Sequence, residues 1–204
     1  MVNLFVNWLA PLICIAVIGI YAFARKQFRL RDRTLDEVTQ FIQRLDWDEL
    51  HETFDIVEEA KLIIFSSGYC LRRSLRVRIH TAREFMSRMH HNVRIIQELV
   101  RTEIDDLVHE FEDRRPQRQQ QLDEAMNLVV GLRAALMIQT FKLTLWTLLR
   151  ADKWPVRRLP SVARLRKCGA DYDLIENYKS LREAAADIAL RYGQRFHDEL
   201  HAAF

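Results

Sequence analysis

Three Asp-x-x-His pairs hold the residue types from which a metal site could be built. They are Asp48 with His51, Asp106 with His109, and Asp198 with His201. At a spacing of three residues on a helix, both side chains of a pair share one face, as in the Glu-x-x-His motifs of di-iron carboxylate bundles. With 7 His and 28 acidic residues in the chain, such pairs also arise by chance on a charged helix surface. We therefore expect solvated surface at these positions and predict no metal ligand and no cofactor.

Motifs for other chemistry are missing from the sequence. There is no GxGxxG, GxxxxGK[ST], GxSxG or HExxH, and 5 glycines leave little material for a phosphate-binding loop. The 3 cysteines, Cys14, Cys70 and Cys168, include no CxxC pair, so neither a disulfide framework nor a zinc knuckle is predicted. Of the adjacent His90 and His91, we expect one imidazole to flank the core and the other to face water. These observations favour a protein that is not an enzyme.

The composition indicates a helical protein with one core. Only 5 Gly and 4 Pro occur among 204 residues, which argues against sandwiches, barrels and Rossmann-type sheets because these need turns at regular intervals. Hydrophobic residues make up 49% and charged residues 29%, with a net charge of +3, so the chain is neither disordered nor a basic nucleic-acid tail. We predict an all-α fold and no nucleic-acid partner.

Residues 4–24 carry no charge and are long enough to cross a bilayer as a helix. Arg25, Lys26, Arg29, Arg31 and Arg33 follow at once, and the positive-inside rule then places the N-terminus outside and the rest in the cytoplasm. A cleaved signal peptide is the main alternative, because Ala22-Phe23-Ala24 has the form of a cleavage site, but no basic residue precedes the apolar run. The other alternative is that residues 4–24 form a core helix of a soluble protein.

Two domains follow from this interpretation. Residues 1–33 form a transmembrane anchor with a basic juxtamembrane segment, and residues 34–204 form a cytoplasmic helical bundle. Arginine outnumbers lysine 25 to 6, which is typical of a GC-rich genome. The predicted location is therefore a bacterial inner membrane.

The first cytoplasmic helix is predicted to begin at the capping box Thr34-Leu35-Asp36-Glu37. The helical phase slips near Asp46, which could cap a second piece. That piece is expected to end at Ser66-Ser67-Gly68, with Gly68 in the left-handed conformation that closes many helices.

Two long helices form the predicted centre of the bundle. A heptad-like seam, typical of a coiled coil, predicts one helix of about 40 residues that ends near Arg114. Its members are Leu75, Ile79, Ala82, Met86, Met89, Val93, Ile96, Val100, Ile104, Leu107 and Phe111. After a polar turn over residues 116–121, a second helix is expected to run to about Asp152 and to fold back as an antiparallel hairpin, giving an elongated bundle.

The second long helix has an ambiguous composition. Residues 125–149 are apolar almost throughout, and only Arg133 and Lys142 carry charge. A second membrane crossing would leave the following basic cluster outside, against the positive-inside rule. We therefore interpret this segment as the central buried helix. An irregular connector containing Pro155 and Pro160 is expected to follow, and then a last helix from about Asp171 to the C-terminus.

Basic clusters are the remaining signal. One follows the anchor, the second comprises Arg72, Arg73, Arg76, Arg78 and Arg83, and the third runs from Arg150 to Lys167. Acidic runs elsewhere in the chain could neutralise them. We expect contact with the membrane surface from Arg25, Lys26, Arg29, Arg31 and Arg33, and from Trp154, Arg157 and Arg158 in the connector.

The function predicted from the sequence is binding or scaffolding within a membrane-associated complex. A protein partner or a second copy of the chain would bind a helix face, and anionic lipid is a further candidate partner. Two alternatives stay open: a bundle that binds a metal or small ligand as an enzyme or sensor, and a peripheral protein that binds anionic lipid.

Overall fold

Every regular element in the described part of the chain is a helix. The computed structural model describes residues 41–107, 115–150, 159–169 and 172–203, which lie in the compact unit Val38–Phe204. The α-helices in these ranges are α1 (Trp47–Thr53), α2 (Ile56–Phe65), α3 (Gly68–Leu107), α4 (Arg115–Leu148), α5 (Leu174–Ala189) and α6 (Gln194–Ala203). Short 3₁₀ turns span Ala163–Arg166 and Leu190–Tyr192. The all-α prediction is confirmed for these residues.

Several predicted features lie outside the described residues. These are the anchor over residues 4–24, the boundary between residues 33 and 34, and the capping box at Thr34. The predicted membrane-surface residues also lie outside: Arg25, Lys26, Arg29, Arg31, Arg33, Trp154, Arg157 and Arg158.

Aspartate side chains cap the N-termini of three helices. The Asp46 carboxylate accepts two backbone N–H groups of α1, at 3.0 and 3.1 Å. Asp55 accepts one from α2 at 2.7 Å, and Asp173 accepts two from α5 at 3.1 and 3.2 Å. Each cap satisfies donors that have no partner within the helix. The predicted break at Asp46 is confirmed, whereas the break at Asp55 was not predicted.

Two glycines act differently from the sequence-based expectation. Gly68 begins α3 and does not close the preceding helix in a left-handed conformation, so that prediction is wrong. Gly193, by contrast, has a φ of 116° and separates α5 and its 3₁₀ extension from α6. The continuous last helix that was predicted is therefore interrupted.

The seam of α3 is buried as predicted. The helix spans 40 residues, and its buried seam positions are Leu75, Ile79, Ala82, Met86, Met89, Val93, Ile96, Val100 and Leu107. Ile104 is half-buried, and Phe111 lies outside the described residues. Because these residues recur every three or four positions, one stripe of α3 faces the core.

Side-chain contacts pair α3 with α4 in opposite order along the two helices. Glu103, near the end of α3, binds Arg118 at the start of α4, and Gln97 accepts a hydrogen bond from Arg133 farther along. The connection over residues 108–114 lies outside the described part. The expected polar turn after Pro116 is wrong, because α4 already begins at Arg115. Proline is tolerated there, since the first turn of a helix needs no hydrogen bond from its N–H.

A buried amide joins three elements of the core. Asn92 on α3 accepts the backbone N–H of Gln43 at 2.9 Å. Its Nδ2 donates to the Gln43 carbonyl and to the Tyr178 hydroxyl of α5, both at 2.8 Å. The Tyr178 side chain is fully buried, and its ring lies 6.0 Å from that of Trp47 on α1. Burial raises the pKa of the Tyr178 hydroxyl, which therefore stays protonated.

Candidate functional site

Helix α4 is apolar on two opposite sides, and one side is buried. The buried positions are Leu122, Ala125, Val129, Leu132, Leu136, Gln139 and Leu143, which pack toward α3 and α5. By length and composition α4 could cross a membrane, and 33% of its most apolar stretch is buried. The helix predicted to be the central buried one packs against two neighbours, but only one of its stripes is covered.

The second apolar stripe of α4, which we call the outer face, is exposed. It comprises Val130, Ala134, Met137, Ile138, Phe141, Leu145 and Leu148. These positions also recur every three or four residues, so they form one continuous stripe about 27 Å long. Phe141 is 69% exposed and Leu148 is 75% exposed. Exposed apolar surface on this scale marks interaction sites in soluble proteins.

Helix α2 also leaves apolar residues exposed, and the residue that it buries is charged. Its buried residue is Glu59, whereas Ile64 and Phe65 are exposed, Phe65 by 83%. The Glu59 carboxylate accepts the backbone N–H groups of Val162 at 3.2 Å and Ala163 at 2.8 Å. It thus caps the 3₁₀ turn that these residues begin. The buried Glu59 carboxylate therefore holds α2 in place, whereas the apolar C-terminal end of α2 stays exposed.

A basic cavity of about 480 Å³ lies between α3 and the C-terminal end of α4. Its described lining residues are Arg76, Ile79, His80, Arg83, Trp146, Thr147 and Arg150. None of these is acidic. Arg150 follows α4 with a φ of 48°, an uncommon conformation for a residue with a Cβ. The cavity brings together arginines from two basic clusters that are more than 65 residues apart in the sequence.

The carboxylate of Glu103 is the centre of a second polar cluster. It is buried, and it accepts hydrogen bonds from Arg118, from the Tyr192 hydroxyl, and from Arg191 at 3.3 Å. These partners come from α4 and from the 3₁₀ turn after α5. Because a buried charge is costly unless it is paired, this cluster serves to hold the three elements together.

The two adjacent histidines are both half-buried, so the prediction that one faces water is wrong. His91 Nε2 lies 3.0 Å from the Phe41 carbonyl oxygen. Burial lowers the pKa of His90, and the nearby charges of Arg133 and Arg94 lower it further. His90 is therefore neutral at neutral pH and disfavours protonation in the folded chain.

The predicted Asp-x-x-His positions lie on different helices. Asp48 and His51 are exposed on α1, and Asp106 is exposed on α3. Asp198 on α6 accepts a hydrogen bond from Gln194 at 3.0 Å. His109 lies outside the described residues. Within the described ranges, no group of three His, Cys, Asp or Glu side chains converges on a point where a metal could bind.

Sequence reasoning missed the outer face and the basic cavity for different reasons. The apolar composition of residues 125–149 was visible, but composition does not show which side of a helix is covered. The cavity forms because the fold brings Arg83 and Arg150 to the same place, which no local sequence pattern encodes. No protein-family model, curated protein or solved structure matches this chain, so its function must be inferred from its own residues.

Proposed function

We propose that this chain is a membrane-anchored binding protein, an accessory or scaffolding subunit of a membrane-associated complex, whose outer face of α4 contacts a protein partner. The observation that carries the proposal is the exposure of the whole outer face while the opposite stripe is buried. Helix-in-groove recognition uses apolar anchors at this spacing. Aromatic and methionine side chains such as Phe141 and Met137 are enriched at interfaces.

Residues 4–24 are the proposed anchor, with the N-terminus outside a bacterial inner membrane and the helices in the cytoplasm. The support is the uncharged run followed by five basic residues within nine positions. We further propose that α3 and α4 form an antiparallel hairpin that gives the bundle an elongated form. The support is the opposite order of their contacts, from Glu103 with Arg118 to Gln97 with Arg133.

Lipid is a less favourable environment than protein for the outer face. The stretch of α3 that pairs with α4 carries Arg88, Arg94, Glu98 and Arg101. If α4 crossed the bilayer in this arrangement, these charges would enter the hydrocarbon core at a cost of about 2.5–3.5 kcal/mol for each arginine on insertion scales. We therefore propose a protein partner, which can cover the outer face without moving α3 out of water.

The proposal is tested by purifying the full-length chain from its native membranes in mild detergent and measuring which proteins remain bound, with their stoichiometry. We expect one partner at a fixed ratio, and we expect a double variant, Met137→Ser with Phe141→Ser, to lose it. The matched control is Val77→Ser, because Val77 is also an exposed apolar residue but lies on α3.

Other results would contradict the proposal. If the partner is retained equally by the outer-face variant and the control, the outer face is not its binding surface. If the wild-type chain elutes alone, the scaffolding function is wrong. If the wild-type chain elutes as a homo-oligomer that dissociates in the outer-face variant, the partner is a second copy of the chain. The metal content of the same sample tests the alternative of a metal-binding enzyme.

A further inference from the structure

We propose that the basic cavity between α3 and the end of α4 binds the phosphate group of a small organic phosphate. The ligand would be either a soluble compound or a lipid headgroup. This inference does not depend on the proposed function, because none of the described residues that line the cavity belongs to the outer face.

The cavity is lined by positively charged arginines and therefore favours an anionic ligand. Arg76, His80 and Arg83 lie at i, i+4 and i+7 on α3, so they share one face of that helix. Arg150 approaches from the end of α4. With no acidic side chain among the described lining residues, the positive charges of Arg83 and Arg150 favour an anion in the cavity. Arginine is well suited to this, since its planar guanidinium donates two parallel hydrogen bonds to a phosphate.

Two arginines outside the cavity illustrate the usual case, in which the side chain has a protein partner. Arg78 donates to the backbone carbonyls that end α1, at 2.6 Å to Thr53 and 3.2 Å to Glu52. Arg118 binds the buried Glu103. By contrast, the side chains of Arg83 and Arg150 make no hydrogen bond or ion pair with the described residues. Their guanidinium groups are therefore available to a ligand.

The size and walls of the cavity favour an organic phosphate over an inorganic ion. Its volume of about 480 Å³ falls within the usual range for small-molecule sites, about 300–1,000 Å³, and far exceeds a bare phosphate. Ile79 and the half-buried Trp146 provide apolar surface beside the cations. An aromatic or aliphatic group attached to the phosphate would pack against these two side chains.

The lipid alternative has a specific structural basis. Exposed Leu148 and Leu149 lie between Thr147 and Arg150 in the chain, and Thr147 and Arg150 line the cavity. Acyl chains attached to a phosphate in the cavity would lie on this apolar surface. A soluble organic phosphate would not need these two leucines.

The test measures binding of phenyl phosphate to the full-length chain in a non-ionic detergent by titration calorimetry. Arg83→Gln and Arg150→Gln each remove one charge from the cavity. Arg73→Gln is the matched control, because Arg73 is exposed on the same helix but does not line the cavity. We expect each cavity variant to bind about tenfold more weakly or worse, since a charge-assisted hydrogen bond is lost, and the control to change less than about twofold.

A second arm distinguishes the two sources of phosphate. Dihexanoyl phosphatidic acid replaces phenyl phosphate as the probe, with dihexanoyl phosphatidylcholine as the zwitterionic comparison. Tighter binding of phosphatidic acid, lost in Arg83→Gln and Arg150→Gln, supports a lipid headgroup. Equal or tighter binding of phenyl phosphate supports a soluble ligand. Absence of binding by both probes at millimolar concentration overturns the proposal, as does equal weakening by Arg73→Gln, which would indicate diffuse charge attraction only.

Discussion

The two long helices α3 and α4 pack against each other but differ in what they leave exposed. The apolar seam of α3 is buried, and most of its exposed positions are polar or charged. Helix α4 buries one apolar stripe and exposes another of similar length. Since one buried stripe is enough to dock a helix, packing within the chain accounts for the apolar seam of α3 but for only one of the two apolar stripes of α4. The surplus on α4 is the feature that needs a function.

The buried amide side chains of the two helices also differ, in how many of their hydrogen bonds are made. Asn92 on α3 uses both its oxygen and its nitrogen, with three hydrogen bonds in all. Gln139 on α4 is also fully buried, and its Nε2 donates to the Lys167 carbonyl at 3.1 Å. Its Oε1, however, has no hydrogen-bond partner among the described residues. The Asn92 amide is thus completely hydrogen-bonded, whereas the Gln139 amide is hydrogen-bonded at its nitrogen only among the described residues.

The sharpest test of the comparison is to truncate one side chain on each face of α4. Leu136→Ala should lower the free energy of unfolding by about 2–5 kcal/mol, because Leu136 is fully buried and its loss leaves a cavity. Phe141→Ala on the outer face should change it by less than about 0.5 kcal/mol. Urea unfolding of the full chain in mild detergent, followed by circular dichroism, measures both. Equal losses would mean that both faces are covered in the isolated chain.

A smaller effect is expected from the two amides. Asn92→Ala should cost about 1–3 kcal/mol, because it leaves the Tyr178 hydroxyl and the backbone of Gln43 without their partner. Gln139→Met should stay within about 1 kcal/mol, since the loss of one hydrogen bond is offset by removal of the unpaired oxygen. The same unfolding measurement applies. A larger loss for Gln139 than for Asn92 would reverse the comparison.

The smallest expected effect is a pH dependence at the contact of α3 with α4. Because burial and Arg133 lower the pKa of His90 below its usual 6.5, the unfolded chain takes up the proton first. The contribution of His90 to stability is therefore complete above pH 6.5 and falls as the pH drops toward the folded pKa. Unfolding measured at about pH 7.5 and 5.5 should show a smaller difference for His90→Gln than for wild type. His80→Gln, on an exposed residue, controls for loss of an imidazole; an identical effect there would refute the assignment.

Local signals predicted the helices well where one side chain or one stripe decides the outcome. Asp46 caps α1 because its carboxylate lies within reach of the next backbone N–H groups, whatever the rest of the chain does. The α3 seam followed from its spacing. Gly68 and the start of α4 were predicted wrongly, since Gly and Pro each fit both a helix start and a turn, and only the surrounding chain selects between them.

The sequence by itself determined that this protein is helical, that Asp46 caps α1, and which stripe of α3 is apolar enough to be buried. These properties depend on neighbours within about one turn of helix, so residue type and spacing are sufficient. Only the tertiary structure decided that α4 is covered on one side, that α2 is held by Glu59, and that Arg83 and Arg150 line one cavity. Each of these depends on contacts between residues far apart in the chain, and burial is a property of such contacts and not of the residue itself.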